Sequence, residues 1–177
     1  IEKDYQAEKE AAEQREQAME NLETETVWVY EQLHEIAIRL AASISYYFLN
    51  TGVPTRMICN GSDCITDQVA VIPTGSGLRH VNAIAEVLAR IDLTRTVVSC
   101  TDQLHELTNK MANSTSAPLY IMISNSMSNS LQDAFEQLIK TGSSAMWIAP
   151  LYEDMELRVR KIPNMDIIRW EVNKYEN

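Results

Sequence analysis

The residues that could do chemistry in this chain are short polar clusters at the ends of apolar runs. Ser124-Asn125-Ser126 follows the run PLYIMI, and Thr74-Gly75-Ser76-Gly77 separates QVAVIP from LRHVNAIAEVLARID. Asn60-Gly61 ends PTRMIC, Ala149-Pro150 ends AMWI, and Glu23 and Glu25 stand before the first core-like segment. Ligands of an open α/β sheet bind outside the carboxyl ends of its strands, so these clusters are expected to meet along one edge. A hard cation such as Mg2+ wants oxygen ligands, with one or two carboxylates among them. Ser76, Ser124, Asn125 and Ser126 supply neutral oxygens, and only Glu23, Glu25 and Asp63 could add charge. Acids ahead of a helix are commonly there for its dipole. Amides and hydroxyls where acids are wanted suit binding better than catalysis.

The remaining motifs are weaker. TGSG before a helix could cradle an anion on backbone N–H groups. It lacks the Gly-Lys-Ser/Thr ending of a P-loop and the third glycine of a dinucleotide fingerprint. His34-Glu35 and His105-Glu106 each begin like a zinc-protease helix, but the fifth residue is Ile38 or Asn109 rather than histidine. His80 stands alone at a helix start, and all three histidines read as surface or capping residues. No GxSxG elbow is present. Tyr46, Tyr47, Phe48, Trp28 and Trp147 read as core. The chain is not expected to be an enzyme; a phosphate-ligand enzyme built on TGSG is the catalytic alternative.

Composition sets wider bounds. A length of 177 residues fits one domain, large enough to bury roughly 70% of its unfolded surface. The formal net charge of -10 argues against nucleic acid and against an anionic membrane surface, both of which select clustered Lys and Arg. No apolar run approaches the roughly 18 residues of a membrane span, and no signal-peptide pattern opens the chain. The fragment is expected to be soluble and cytoplasmic. Cys59, Cys64 and Cys100 form no CxxC pair. A Cys59–Cys64 bridge is conceivable, but an apolar strand around Cys59 favours free thiols.

The elements that must position these residues follow from periodicity. Residues 1–20 are rich in Glu, Gln, Ala and Lys with a thin apolar stripe, and read as an acidic helical segment, native or appended. Leu33, Ile36, Ala37, Leu40, Ile44, Tyr47 and Phe48 recur at three and four, with Gly52 and Pro54 as the stop. Thr55–Asn60 and Val69–Ile72 read as strands of an antiparallel edge hairpin around a polar turn, Gly61–Asp67. Helices are expected over Leu78–Ile91, from Thr101 or Asp102 to Met111, and over Ser130–Lys140. Strands are expected at Leu119–Ser124, Ala145–Ala149 and Asp166–Val172. Alternating strands and helices predict an α/β fold: a doubly wound, mainly parallel sheet with helices on both faces.

At EIAIRLAASISYYFLNTGVPTRMICNG and IPTGSGLRHVNAIAEVLARID the chain resembles bacterial proteins of domain-of-unknown-function family 58. Their C-terminal part is similar to a von Willebrand factor A domain. The resemblance covers roughly Asn21–Val172 and divides the chain into residues 1–20 and a domain over 21–177. It implies a metal-ion-dependent adhesion site at the sheet's upper edge. That site's Asp-x-Ser-x-Ser motif would fall on Asn21-Leu22-Glu23-Thr24-Glu25, its threonine near Ser76 or Gly77, and its aspartate on Asn125. All three positions carry other residues, which implies a degenerate site.

The family's first strand would lie immediately before Asn21, where this chain has EQREQAME. Such a sequence cannot make a buried parallel strand. A sheet with that slot open exposes strand edges, so a homodimer by strand or helix exchange is a further expectation. The resemblance also implies a membrane-anchored parent protein with this domain facing the cytoplasm, and a MoxR-type AAA+ ATPase as partner. The expected function is a non-catalytic docking domain without a cofactor, whose contact surface is Glu23, Glu25, Ser76, Asn125 and Ser126. The alternative is an adhesion-type domain that binds its ligand through Mg2+.

Overall fold

A computed structural model describes residues 31–141 and 144–174. The segment 1–20 and the candidate residues Asn21, Glu23 and Glu25 lie outside the described residues, as does Trp28.

A helix runs through residues 31–50 (α1). Gly52 stops it at φ 81°, with Val53 N–H donating to Phe48 O at 2.9 Å and Gly52 N–H to Leu49 O at 3.2 Å. This Schellman closure needs the left-handed conformation that glycine adopts without a Cβ penalty. Leu33, Leu40 and Leu49 are buried along α1. Tyr46 and Tyr47 are not core residues: they are 57% and 64% exposed.

The hairpin forms as the sequence suggests, and is longer. Strand β1 (Thr55–Asp63) pairs antiparallel with β2 (Val69–Gly75) in the register Thr55↔Gly75 and Met57↔Ile72. Gly61 to Asp63 belong to the strand rather than to a polar turn, because a further strand, β3 (Ile91–Thr96), pairs with them. The helix between the two, α2 (Leu78–Leu88), accordingly stops short of Ile91. Ala89 caps it, and Arg90 turns back to form an ion pair with Asp63. That leaves the β-prone stretch IDLTRT free to join β1. Leu49, Met57, Ile72, Ile84 and Leu88 form the core of this half.

The second half is parallel. Helix α3 (Cys100–Met111) is capped by Ser99, whose hydroxyl accepts from Asp102 N–H, so the cap lies ahead of the expected Thr101 or Asp102. Then come β4 (Tyr120–Ile123), α4 (Asn129–Ile139), β5 (Ala145–Tyr152) and β6 (Met165–Val172). Strands β4 and β6 flank β5 in parallel register. Strand β5 is buried along nearly its whole length, as expected of a parallel strand covered on both faces. Ala145, Trp147, Ala149 and Leu151 alternate into a core with Leu104, Leu131, Phe135 and Leu138 of α3 and α4. Phe135 and Trp147 meet edge to face, 5.6 Å between centroids. Tyr152 instead packs with Leu33 of α1 and donates to Gln32 Oε1 at 2.7 Å.

The chain is therefore mixed α/β, with a three-stranded parallel sheet flanked by helices and a separate three-stranded antiparallel sheet, β2-β1-β3. Among the described residues the parallel arrangement is confined to β4–β6, since the β1–β2 hairpin is extended by antiparallel β3. Helix α1 contributes Leu33 to the core around Tyr152 and Leu49 to that around Met57, which its length of ~30 Å allows. No helix among the described residues is long and apolar enough to cross a membrane.

Candidate functional site

The carboxyl end of β4 delivers the chain into Ser124-Asn125-Ser126, and the core fixes this loop from below. Ser124 N–H donates to Ile148 O at 3.1 Å, and the buried Trp147 Nε1–H donates to Ser124 O at 3.2 Å. The Ser124 hydroxyl accepts from Ser126 N–H at 3.1 Å and donates to Ser126 O at 3.2 Å, closing a local turn. Both hydroxyl functions of Ser124 are thus engaged. Asn125 is half-buried, and among the described residues its amide makes no hydrogen bond. Ser126 is exposed.

Gln132 is the residue that sequence reasoning missed. It is 1% exposed and lies in the first turns of α4. Its amide donates to Met127 O at 2.8 Å and Arg158 O at 3.2 Å, and accepts from Arg160 N–H at 2.7 Å. Arg158 N–H also donates to Met127 Sδ at 3.1 Å. One side chain therefore fastens the loop before α4 to the irregular crossover between β5 and β6. A polar residue on the apolar face of α4 was the available signal. Arg169 does similar work at the start of the same crossover, donating to Met155 O, Tyr152 O and Glu153 O at 2.7, 2.8 and 3.1 Å. The edge is a framework of backbone groups held by buried side chains, with Asn125 presented from it.

The expected gathering of all the clusters does not occur. Ser124–Ser126 and Ala149-Pro150 do come together, through the β4–β5 pairing. Asn60-Gly61 and Thr74–Gly77 lie at opposite ends of one hairpin, since Gly75 pairs with Thr55 and Gly61 with Thr96. An antiparallel turn reverses the chain, so the end of β2 returns to the beginning of β1. Ser76 is exposed in the β2–α2 turn and belongs to the other sheet from Asn125 and Ser126. Among the described residues no hydrogen bond or ion pair joins them.

The other candidates have structural work. Asp63 accepts from Ile65 and Thr66 N–H at 2.8 and 3.3 Å and from Arg90 Nε at 3.1 Å. The Ile65 N–H, then Thr66 and the Arg90 guanidinium, hold its carboxyl below the usual aspartate range. His80 is neither a surface nor a capping residue: its Nε2 lies 2.7 Å from Thr55 O, tying α2 to the start of β1. Gly77 opens α2 at φ 80° with no side-chain cap, so TGSG is a tight turn. Among the described residues no three His, Cys, Asp or Glu side chains converge as a metal site. A cleft of about 170 Å³ between α1 and α2 is lined by Ala42, Leu49, Val81, Ile84 and other mainly apolar side chains. It offers shape rather than chemistry. Cys59, Cys64 and Cys100 are free thiols, with Cys64 exposed.

Comparison with protein-family models, curated proteins and solved structures gave no match. The fold defines a class: a mixed α/β domain whose parallel sheet is flanked by helices.

Proposed function

We propose that this chain is a non-catalytic protein-docking domain that uses the carboxyl edge of its parallel sheet. The observation that carries this reading is the half-buried Asn125 amide, which makes no hydrogen bond among the described residues, on a loop fixed by Trp147, Ser124 and Gln132. A preorganised donor-acceptor pair of this kind recognises backbone or side-chain amides of a partner with little ordering cost. Neutral oxygens at this edge also fit a degenerate adhesion-type site better than a working one.

The finer fold we propose is von Willebrand factor A-like and doubly wound. Parallel β4-β5-β6 with α4 as crossover, and a β1–β2 hairpin leading into α2, are in accord with it. So are the edges of β4 and of the first half of β1, each paired on one side only among the described residues. The sequence resemblance adds the partner class, a MoxR-type AAA+ ATPase met on the cytoplasmic side of a membrane.

The test is binding to a purified MoxR-type ATPase by interferometry, with and without Mg2+. Asn125→Ala is expected to weaken binding at least tenfold while leaving the melting temperature within about 2 °C, the size of effect seen for surface changes. Unchanged affinity would remove Asn125 from the interface. A melting temperature that climbs and saturates over millimolar Mg2+ would assign a working metal site instead, by mass action on the folded state.

A further inference from the structure

Cys59 and Cys100 lie 41 positions apart in sequence, in different halves of the fold, and the structure brackets one against the other. Three residues before Cys100, Val97 N–H donates to Asn60 O at 3.3 Å. Three residues after it, Gln103 Nε2 donates to Cys59 O at 3.2 Å. Positions i and i+3 share a helix face, so Cys100, the first residue of α3, faces β1 at Cys59. The two thiols also sense each other: burial raises Cys100 to about 11, and the charge of Cys59 adds to the rise. Cys59 belongs to the antiparallel sheet, whereas Cys100 packs on the core around Trp147.

We propose that Cys59 and Cys100 are a modification site, a dithiol that closes to a disulfide and clasps the two halves of the molecule under oxidising conditions. The oxidant class is a low-molecular-weight disulfide such as oxidised glutathione. Burial raises the Cys59 thiol, but the Gly61 N–H directed at its Sγ, 3.4 Å away, offsets part of that rise, so Cys59 attacks first. Its sulfur bonds to one glutathione sulfur, the glutathione S–S bond breaks, and one glutathione leaves as thiolate and takes up a proton. Cys100, once deprotonated, attacks the Cys59 sulfur of the mixed disulfide and releases the second glutathione. Two protein thiols are oxidised and one glutathione disulfide is reduced to two thiols. Burial holds both thiols protonated at neutral pH, so closure is slow there and quickens with thiolate fraction.

The protein is incubated with oxidised glutathione at pH 7 and pH 9, quenched by alkylation, and mapped by peptide mass spectrometry. Expected are a Cys59–Cys100 linked peptide, formed at least tenfold faster at pH 9, and a melting temperature higher by roughly 5–15 °C from closing a loop of this length. Reduction with dithiothreitol should restore the original value. Cys64→Ser, which removes the exposed competitor, should leave the linked peptide in place, and Cys100→Ala should abolish it. If Cys100→Ala does not fold, mapping of the unaltered protein decides alone. Cys59–Cys64 linkage, Cys64-linked dimers only, or glutathione adducts that never resolve would each overturn the proposal.

Discussion

The indole of Trp147, at the buried centre of β5, donates through Nε1 to the backbone carbonyl of Ser124, 3.2 Å away. The first residue of the loop carrying Asn125 is thus hydrogen-bonded to the core of the parallel sheet. An isolated loop would have to be ordered on binding, at a cost of ~1 kcal/mol or more per residue. Here folding has already met part of that cost.

Replacing Trp147 by Phe should therefore do two separable things. Loss of volume beside Phe135 is expected to lower stability by about 2–3 kcal/mol, from the cavity and the lost edge-to-face contact. Loss of the Nε1 donor leaves Ser124 O without this partner and should free the loop. Urea denaturation reads the first effect. Hydrogen exchange at Ser126 N–H, whose acceptor is the Ser124 hydroxyl, reads the second, and faster exchange there at matched stability is the expected result.

Gln132 is the more demanding test of the same edge. Gln132→Met keeps length and approximate volume but strips three hydrogen bonds from a site 1% exposed. Met127 O, Arg158 O and Arg160 N–H would each lose this partner. At ~1 kcal/mol or more for each unsatisfied group, the expected loss is about 3 kcal/mol in urea unfolding. A change below about 0.5 kcal/mol, the ordinary surface range, would mean that water replaces the amide.

The pH dependence of stability should carry a contribution from Asp63. Hydrogen bonds from Ile65 and Thr66 N–H and the Arg90 guanidinium lower its folded-state pKa, whereas the unfolded value is about 3.9. A depressed carboxyl pKa contributes stability that is fully present above the unfolded value. That contribution is lost as pH falls through the folded one. Asp63→Ala is therefore expected to be less stable than the parent at pH 7 and to lose less further stability between pH 5 and pH 2. Parallel acid limbs for the two proteins, followed by circular dichroism, would assign the acid sensitivity to other carboxyls.

What could be read in the sequence was whatever depended on local pattern. The Gly52 stop, the β1–β2 hairpin, α4 and the parallel strands β4–β6 follow from periodicity and caps. The misread features depended on pairing between distant residues. Ile91 looks like the last residue of a helix until the Asp63–Arg90 ion pair turns the chain and IDLTRT pairs with β1. Tyr46 and Tyr47 fit an apolar repeat, yet the buried side of α1 is set by partners on two sheets. The site divides the same way: Asn125 follows from its place after an apolar strand. Gln132 acquires its meaning only when residues 158–160 fold back over α4.

Two glycines separate backbone strain from crowding. Gly52 sits at φ 81° with open space where a Cβ would project, so Gly52→Ala meets only the left-handed penalty, about 1 kcal/mol. Gly75 has no such dihedral, but an added Cβ would collide with the His80 ring. That ring must then swing away and release its contact with Thr55 O, which costs about 1 kcal/mol or more. The prediction is one of coupling. In a His80→Ala background Gly75→Ala should become nearly neutral, whereas Gly52→Ala should cost the same in both backgrounds. A double-mutant cycle by urea denaturation measures this, with an expected interaction of about 1 kcal/mol between positions 75 and 80. A value near zero would mean that the β2–α2 turn relieves the clash by moving its backbone, and that His80 does not fix the start of α2 against β1.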